Sequence, residues 1–212
     1  MNNISPPVTP FVPWPPGTKL ILASRSPRRS ELLATAGIPF ECEPAGDIES
    51  ELAAQLLAAK TSPGQYVEQL ALAKAADVAA RNGGRLVLGA DTVVVLDGDI
   101  LEKPVDEAEA RQLLRRLSGR RHIVLTAIAL IGGPAGEAGI AEHEATEVDF
   151  LSLTDQVIAD YVATGEPMDK AGAYGIQGYG ALMVSGVQGC YFNVMGLPLA
   201  RLGTLLRRVL SE

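Results

Sequence analysis

The chain has 212 residues, of which 47% are hydrophobic and 20% are charged. This composition is typical of a soluble globular protein with one sizeable core. With 18 Lys and Arg against 25 Asp and Glu, the formal net charge is −7. An acidic balance argues against a nucleic-acid partner, whose protein surface is normally basic, but a locally basic cleft can still bind a small anion. No apolar run approaches the roughly 20 residues of a membrane span, so no membrane partner is expected.

Residues 1–18 differ in composition from the rest of the chain. This segment is rich in proline and contains no Lys or Arg, so it lacks the positive start and the apolar core of a signal peptide. We interpret it as a flexible, proline-rich tail of polyproline type, and a ligand for a partner protein is the alternative. The folded domain is expected to cover residues 19–212.

Few residues of the sequence suit soft-metal or histidine chemistry. Cys42 and Cys190 form no C-x-x-C pair, and His122 and His143 form no zinc-binding spacing. Unpaired thiols of this kind favour a reduced, cytoplasmic protein. Any metal must then be held by carboxylates, which favours Mg²⁺ or Mn²⁺. Walker A and G-x-G-x-x-G motifs are also absent from the sequence, which excludes P-loop and dinucleotide-binding proteins.

Strand and helix signals alternate after the tail. Helix-starting residues are Ser26 before Pro27, Asp106 with Glu109, and Thr154. The predicted elements, in chain order, are a strand over 19–23, helices over 27–36 and 64–82, a strand over 86–96 that turns towards 100–101, a helix over 106–118, paired strands over 122–131 and 145–153, a helix over 154–165, a glycine-rich stretch with short strands over 172–196, and a helix over 197–210. This order predicts an α/β protein with a mixed β-sheet and flanking helices.

Asp91 is the leading candidate for chemistry. It stands alone in the apolar, β-branched run 86–96, which is typical of a buried strand. A buried carboxylate costs on the order of several kcal/mol unless a cation, a metal or hydrogen bonds compensate it. The alternative is a strand end at which the side chain reaches water or caps a turn.

Three basic features indicate phosphate binding. Arg28 and Arg29 lie at a predicted helix N-terminus, where free N–H groups bind anions and two cations are unfavourable without one. A solvated pair of arginines is the alternative. Lys74 falls on the apolar stripe of its helix, where it either extends past the core edge or points into a cleft. Lys103 follows the turn after the Asp91 strand. Together these residues suggest metal-assisted hydrolysis of a polyphosphate.

Five segments that carry these residues resemble the Maf family of nucleoside triphosphate pyrophosphatases, which is also called septum-formation-inhibitor-like. They are 24–29 (SRSPRR), 89–92 (GADT), 103–104 (KP), 117–119 (LSG) and 165–178 (GEPMDKAGAYGIQG). The resemblance covers about residues 19–210. It implies a fold similar to that of inosine triphosphate pyrophosphatase, with two lobes around a bent mixed sheet and a cleft between them. It also implies hydrolysis of the α–β phosphoanhydride, with a divalent cation, to a nucleoside monophosphate and pyrophosphate.

The resemblance also assigns the site residues. Asp91 matches the general base, and it forms the metal site with Glu49. Substrate-binding positions, on the phosphate side and around the base, match Ser24, Arg28, Arg29, Lys74, Thr92, Lys103, Lys170 and Gln177.

Substrate preference follows from three of these positions. Arg28, Thr92 and Gln177 resemble the dTTP/UTP branch of the family rather than the 7-methyl-GTP branch, and modified pyrimidine nucleotides are further candidates. Two alternatives stay open: a purine nucleotide pyrophosphatase of the same fold, and a non-catalytic nucleotide-binding regulator of cell division. A homodimer is a further expectation.

Overall fold

The computed structural model describes residues 11–136 and 139–211. Its α-helices are α1 Pro27–Thr35, α2 Glu49–Ala58, α3 Pro63–Ala79, α4 Glu107–Leu117, α5 Asp155–Ala163, α6 Tyr191–Val194 and α7 Leu199–Leu210. Its strands are β1 Leu20–Leu22, β2 Phe40–Cys42, β3 Val87–Leu96, β4 Asp99–Leu101, β5 Arg121–Ile131, β6 Ile140–Phe150 and β7 Val184–Gln188. No helix in these residues is long and apolar enough to cross a membrane.

The strands form one seven-stranded mixed sheet. Its order is β2-β1-β3-β5-β6-β7, and β4 pairs with β3 beside this path. Strand β1 runs parallel to both β2 and β3, whereas β4 is antiparallel to β3 and β7 is antiparallel to β6. The prediction of an α/β protein with a mixed sheet and flanking helices is therefore confirmed.

Most predicted elements occur within a few residues of their expected bounds, and outside the glycine-rich stretch two elements were not predicted. Ser26 lies at the N-cap of α1, but its side chain forms no capping hydrogen bond. The Asp106 carboxylate caps α4 by accepting from the Glu109 N–H at 2.8 Å. The unpredicted elements are β2 and α2. The glycine-rich stretch contains β7, the short helix α6 and several 3₁₀ turns, rather than several strands.

The chain divides into two compact units. The first contains the described residues of segments 1–91, 127–143 and 196–212. Its core includes the fully buried side chains of Leu20, Ile21, Leu22, Leu33, Tyr66, Leu70, Leu88, Ile128 and Leu130. Helix α3 packs closely on β3 at Gly89, where an added Cβ would collide with the backbone oxygen of Ala71. This close approach brings the middle of α3 next to the middle of β3.

The second unit contains residues 92–126 and 144–195. Its core joins the apolar faces of α4 and α5 to side chains of β3, β5 and β6. His122, Phe150 and Tyr174 pack edge to face within this unit, with ring centroids 4.6 to 5.3 Å apart. Between α5 and β7 the backbone forms short 3₁₀ turns over 166–169, 171–173 and 178–183. These turns carry the long motif that the sequence analysis singled out.

The predicted tail covers residues 1–18, and residues 1–10 lie outside the described part of the chain. Residues 11–18 precede β1. Val12 is buried there, and the Trp14 indole N–H donates to the carbonyl oxygen of Thr18 at 2.9 Å. Short-range hydrogen bonds therefore organise the end of this segment where it meets the domain.

Candidate active site

Asp91 lies inside β3 and is 5% exposed. Side chains two residues apart point to the same face of a strand, so Asp91 faces α3 as Gly89 does. Its Oδ1 accepts a hydrogen bond from Lys74 Nζ at 2.7 Å. The alternative of a strand end open to water is therefore wrong, because the residue is mid-strand, buried and paired with a cation.

Lys74 connects two carboxylates. Its Nζ lies 2.7 Å from Asp91 Oδ1 and 2.8 Å from Glu49 Oε2. The Lys74 side chain is 12% exposed and that of Glu49 is 43% exposed, so the cluster extends from the interior towards solvent. Glu49 is the first residue of α2. The lysine on the apolar stripe of α3 thus points at the candidate base rather than past the core edge into solvent.

Arg29 ties the turn after β1 to β3. Its Nη1 donates to Ser24 Oγ at 3.1 Å and to the Ala90 carbonyl oxygen at 2.9 Å, and its Nε donates to the Gly196 carbonyl oxygen at 2.9 Å. The Ser24 hydroxyl oxygen also accepts the N–H of Ser26. The alternative of a solvated arginine is therefore wrong for Arg29, because its guanidinium donates to backbone carbonyl oxygens, including that of Ala90 next to Asp91.

The electrostatics of Arg29 reflect this position. Burial lowers the pKa of its guanidinium from the ordinary value, while the charges of Asp91 and Glu49 raise it and that of Arg28 lowers it again. An arginine stays protonated in proteins in spite of such a shift. The cluster of two carboxylates is thus balanced by two cations, Lys74 and Arg29. Arg28 is half-buried in the first turn of α1.

The donor set can be compared with what a divalent cation needs. Within residues 11–136 and 139–211, no group of three His, Cys, Asp or Glu side chains could hold a metal ion. The carboxylates of Glu49 and Asp91 nevertheless lie close together, because both contact the ammonium group of Lys74. Mg²⁺ is usually bound by one or two carboxylates together with substrate phosphates, rather than by an all-protein cage. Two carboxylates therefore fit a metal that binds with a triphosphate.

Thr92 belongs to a buried polar network of the second unit. Its Oγ1 lies 2.9 Å from Thr126 Oγ1, and Thr126 donates to the Asn193 carbonyl oxygen at 2.8 Å. The Asn193 amide donates in turn to the Val124 carbonyl oxygen and to Thr146 Oγ1. A carbonyl oxygen only accepts, so the single hydroxyl proton of Thr126 is directed at Asn193. Thr92 is therefore the donor to Thr126.

The remaining predicted site residues also lie in the second unit. Lys170 is 14% exposed at its side chain and donates to the Glu166 carbonyl oxygen at 2.5 Å and to Asp169 Oδ1 at 2.6 Å. Gln177 is exposed and precedes the 3₁₀ turn 178–183. Lys103 is exposed just after β4. The structure thus brings Ser24, Arg29, Glu49, Lys74 and Asp91 together in the first unit.

Glu166 is a polar centre that the sequence analysis did not single out. Its carboxylate accepts the Tyr161 hydroxyl at 2.8 Å, the Tyr179 N–H at 3.0 Å and the Gly180 N–H at 3.1 Å. Burial alone would raise the pKa of Glu166, but the two backbone N–H groups, the Tyr161 hydroxyl and the charge of Lys170 lower it overall. The carboxylate is therefore held ionised inside the motif 165–178. Its place in that motif was the available sequence signal.

A helix N-terminus that carries arginines is a site for phosphate or another anion, and a carboxylate beside it can serve as a base or a metal ligand in phosphate chemistry. The sequence comparison defines the class of protein. Residues 19–209 match the family model described as "Maf-like protein". Because this match covers almost the whole domain, the chain belongs to the Maf family.

Relatives at about half identity extend along nearly the full chain. A protein of Moorella thermoacetica, named dTTP/UTP pyrophosphatase, is 52% identical over 189 residues, which cover 89% of this chain and 94% of the relative. A protein of Koribacter versatilis with the same name is 50% identical over 192 residues, which cover 91% and 95%. The relatives thus match the domain from end to end.

Solved structures give more distant likenesses. A nucleoside-triphosphatase, also named dITP/XTP pyrophosphatase, from Mycobacterium abscessus aligns with a TM-score of 0.42 and 18% identity, over 92% of this chain and 96% of that chain. The Ham1 protein of Staphylococcus aureus aligns with a TM-score of 0.43 and 15% identity, over 79% and 80%.

Proposed function

We propose that the protein is a nucleoside triphosphate pyrophosphatase that hydrolyses dTTP and UTP to the monophosphate and pyrophosphate. The observation that carries the proposal is the buried contact of Asp91 with Lys74, which also reaches Glu49. Membership of the Maf family and relatives named dTTP/UTP pyrophosphatase at about half identity support it. Modified pyrimidine nucleotides with the same base edge are further substrates under this proposal.

Asp91 is the general base of the proposed reaction. Lys74 Nζ donates to Oδ1 at 2.7 Å and so fixes the orientation of the carboxylate. The carboxylate orients a water molecule and takes a proton from it as the water oxygen bonds to the α-phosphorus. The bond from that phosphorus to the bridging oxygen breaks, and pyrophosphate leaves with the electron pair. General-base catalysis of this kind contributes roughly 10²–10⁴ to the rate.

The phosphate groups are bound by cations and by the N-terminus of α1. The proposed contacts are Arg28, Lys103 and the N–H groups of the first turn of α1. The hydrogen bond from Arg29 to Ser24 fixes the start of α1, which presents Arg28 and these N–H groups. Glu49 and Asp91 would hold a Mg²⁺ or Mn²⁺ ion. When bound, this ion neutralises charge on the triphosphate and on the leaving pyrophosphate.

The nucleobase is read by hydrogen bonding. Uracil and thymine present an N3–H donor and an O4 acceptor. The Gln177 amide offers both an acceptor and a donor, and the Thr92 hydroxyl is oriented by its hydrogen bond to Thr126. Lys170 lies in the same motif as Gln177. A site built to hydrogen-bond one edge rejects mismatched bases because its polar groups are left unpaired.

The test is a panel of dTTP, UTP, CTP, ATP, GTP and 7-methyl-GTP, with Mg²⁺ or Mn²⁺, in which pyrophosphate release is measured. We expect dTTP and UTP to be cleaved well ahead of the purine nucleotides. Preferential cleavage of 7-methyl-GTP or another purine would assign the protein to a different specificity within the fold. Binding of nucleotides by the folded protein without pyrophosphate release would instead indicate a non-catalytic regulator. A homodimer, a cytoplasmic location and a role in septum formation stay predictions.

A further inference from the structure

The backbone on both sides of Gln177 is tied to the same pair of side chains. On one side, the Gly175 N–H donates to the Tyr161 hydroxyl oxygen at 3.1 Å. On the other side, the Tyr179 N–H donates to Glu166 Oε2 at 3.0 Å, and the Gly180 N–H donates to Glu166 Oε1 at 3.1 Å. The Tyr161 hydroxyl itself donates to Glu166 Oε1 at 2.8 Å. The turn that exposes Gln177 is thus closed by a clamp of Glu166 and Tyr161.

Two glycines allow the backbone to close on this clamp. Gly178 has a φ of +68°, a left-handed conformation that favours glycine, and an added Cβ would overlap Glu166 Oε2. At Gly180, an added Cβ would overlap the Gly175 carbonyl oxygen and lie 2.9 Å from the Tyr161 hydroxyl oxygen. These two glycines after Gln177 are therefore required by the clamp and not only by the turn itself.

The chemistry of the clamp requires a carboxylate. Glu166 meets two N–H donors and one O–H donor, and an ionised carboxylate is the side chain that only accepts. Tyr161 is 5% exposed, and burial raises the pKa of its hydroxyl, so it stays protonated and donates. A glutamine at position 166 would replace one carboxylate oxygen by an NH₂ group, which is itself a donor and would face another donor at that place. One oxygen would then have to serve several donors.

We propose that Glu166 is a positioning residue for base selection, because its carboxylate, together with Tyr161, fixes the turn that presents Gln177 to the nucleobase. This inference rests on the proposed function. Glu166 contacts the protein's own backbone and acts through Gln177. The clamp lies wholly within the second unit, and its members are 161, 166 and the turn 175–180. A looser turn would leave the amide of Gln177 free to accept either hydrogen-bonding pattern.

The test compares kcat/KM for UTP and CTP, which differ at N3 and at the 4-position that Gln177 would read. We expect both Glu166→Gln and Gln177→Ala to narrow the UTP/CTP ratio on the order of tenfold, the effect of about one lost hydrogen bond to a polar group. The double variant should narrow it no further than either single variant. Tyr161→Phe should show a smaller effect in the same direction. Glu107→Gln, on the exposed face of α4, is the matched control and should leave the ratio unchanged.

A second readout does not depend on turnover. In the nucleotide-free protein, Glu166→Gln should speed amide hydrogen exchange at Tyr179 and Gly180, while exchange in α4 stays at the wild-type rate. Slow exchange at both amides in the variant would overturn the clamp. An unchanged UTP/CTP ratio in Glu166→Gln, or effects of the two single variants that multiply in the double variant, would overturn the role in base selection.

The outcomes separate this inference from the proposed function. If the wild-type protein releases pyrophosphate from neither nucleotide, the proposed function fails, and base selection by Glu166 fails with it. If the wild-type protein prefers UTP but Glu166→Gln does so equally, only the present inference fails. Should Glu166→Gln not fold, Tyr161→Phe carries the same comparison, and a wild-type ratio in that variant would count against the clamp.

Discussion

Lys74 Nζ lies 2.7 Å from Asp91 Oδ1, and the two side chains are 12% and 7% exposed. In a buried ion pair each charge compensates the other for the loss of water, so the two groups have to be kept in contact by the packing around them. The geometry comes from the packing of α3 on β3, where Gly89 allows the helix to approach the strand. The packing of α3 on β3, which forms part of the core of the first unit, therefore also fixes the position of Lys74 next to Asp91.

Lys74→Met tests this dependence. The change leaves Asp91 buried without its cation, so we expect the free energy of unfolding to fall by about 3 kcal/mol and turnover to be lost. Urea denaturation and pyrophosphate release measure the two effects. Lys60→Met, at an exposed position, is the control and should change stability by about 0.5 kcal/mol or less. A Lys74→Met protein as stable as the control would show that the ion pair is not part of the folded core.

The basic residues should separate into two groups. Arg29 donates to Ser24 Oγ and to the carbonyl oxygens of Ala90 and Gly196, so Arg29→Ala should lower both stability, by roughly 2 kcal/mol or more, and activity. Arg28→Ala and Lys103→Ala should raise KM for dTTP with little change in melting temperature, because they are proposed to bind phosphate. If Arg28→Ala or Lys103→Ala melts many degrees lower with wild-type kinetics, that residue is structural instead.

The direction of the Thr92 hydrogen bond can be tested at Thr126. Thr126→Val keeps the volume but removes both the acceptor for Thr92 and the donor to the Asn193 carbonyl oxygen. We expect a loss of about 1–3 kcal/mol in stability and a lower ratio of UTP to GTP hydrolysis. Thr126→Ser retains the hydroxyl and should restore the ratio. A ratio that follows stability alone, without rescue by serine, would contradict the role of this network in base selection.

His122 should make stability depend on pH. Burial lowers its pKa to about 4 from 6.5, although Asp149 opposes the shift. The unfolded chain therefore binds more protons between these values, so His122 lowers stability as pH falls from about 6.5 to about 4. Between pH 7 and pH 5 the loss should be about 2 kcal/mol. Urea titrations at both pH values should show this part of the loss absent in His122→Gln, and an equal loss in both proteins would contradict the shift.

Some of the site was visible in the sequence because it violates a local pattern. Asp91 interrupts an apolar strand, and Lys74 interrupts an apolar helix face, so both were predicted to need partners. That they are partners of each other depends on the packing of α3 against β3, which periodicity does not specify. Likewise the guanidinium of Arg29 reaches the Ala90 carbonyl oxygen only through the parallel pairing of β1 with β3.

Other features left little local signal. Strand β2 has only three residues and is largely exposed, and α2 buries only Ala53 and Leu56, so neither shows a clear hydrophobic period. Glu166 stands in a recognised motif, yet its partners Tyr179 and Gly180 follow a run of turns whose path no periodic pattern describes. Asn193, which anchors the Thr126 network, lies in α6, a helix of only 4 residues, which is too short to show a hydrophobic period.

Pyrophosphate release from dTTP by the wild-type protein and by Asp91→Asn bears most closely on the proposed mechanism. The amide keeps the volume of the side chain but removes the base, and Glu49 still pairs with Lys74, so the variant should fold. We expect efficient release by the wild-type protein and a loss of roughly 10²–10⁴ in kcat for the variant, with an unchanged circular dichroism spectrum. Near-wild-type turnover by a folded Asp91→Asn protein would show that Asp91 is not the general base.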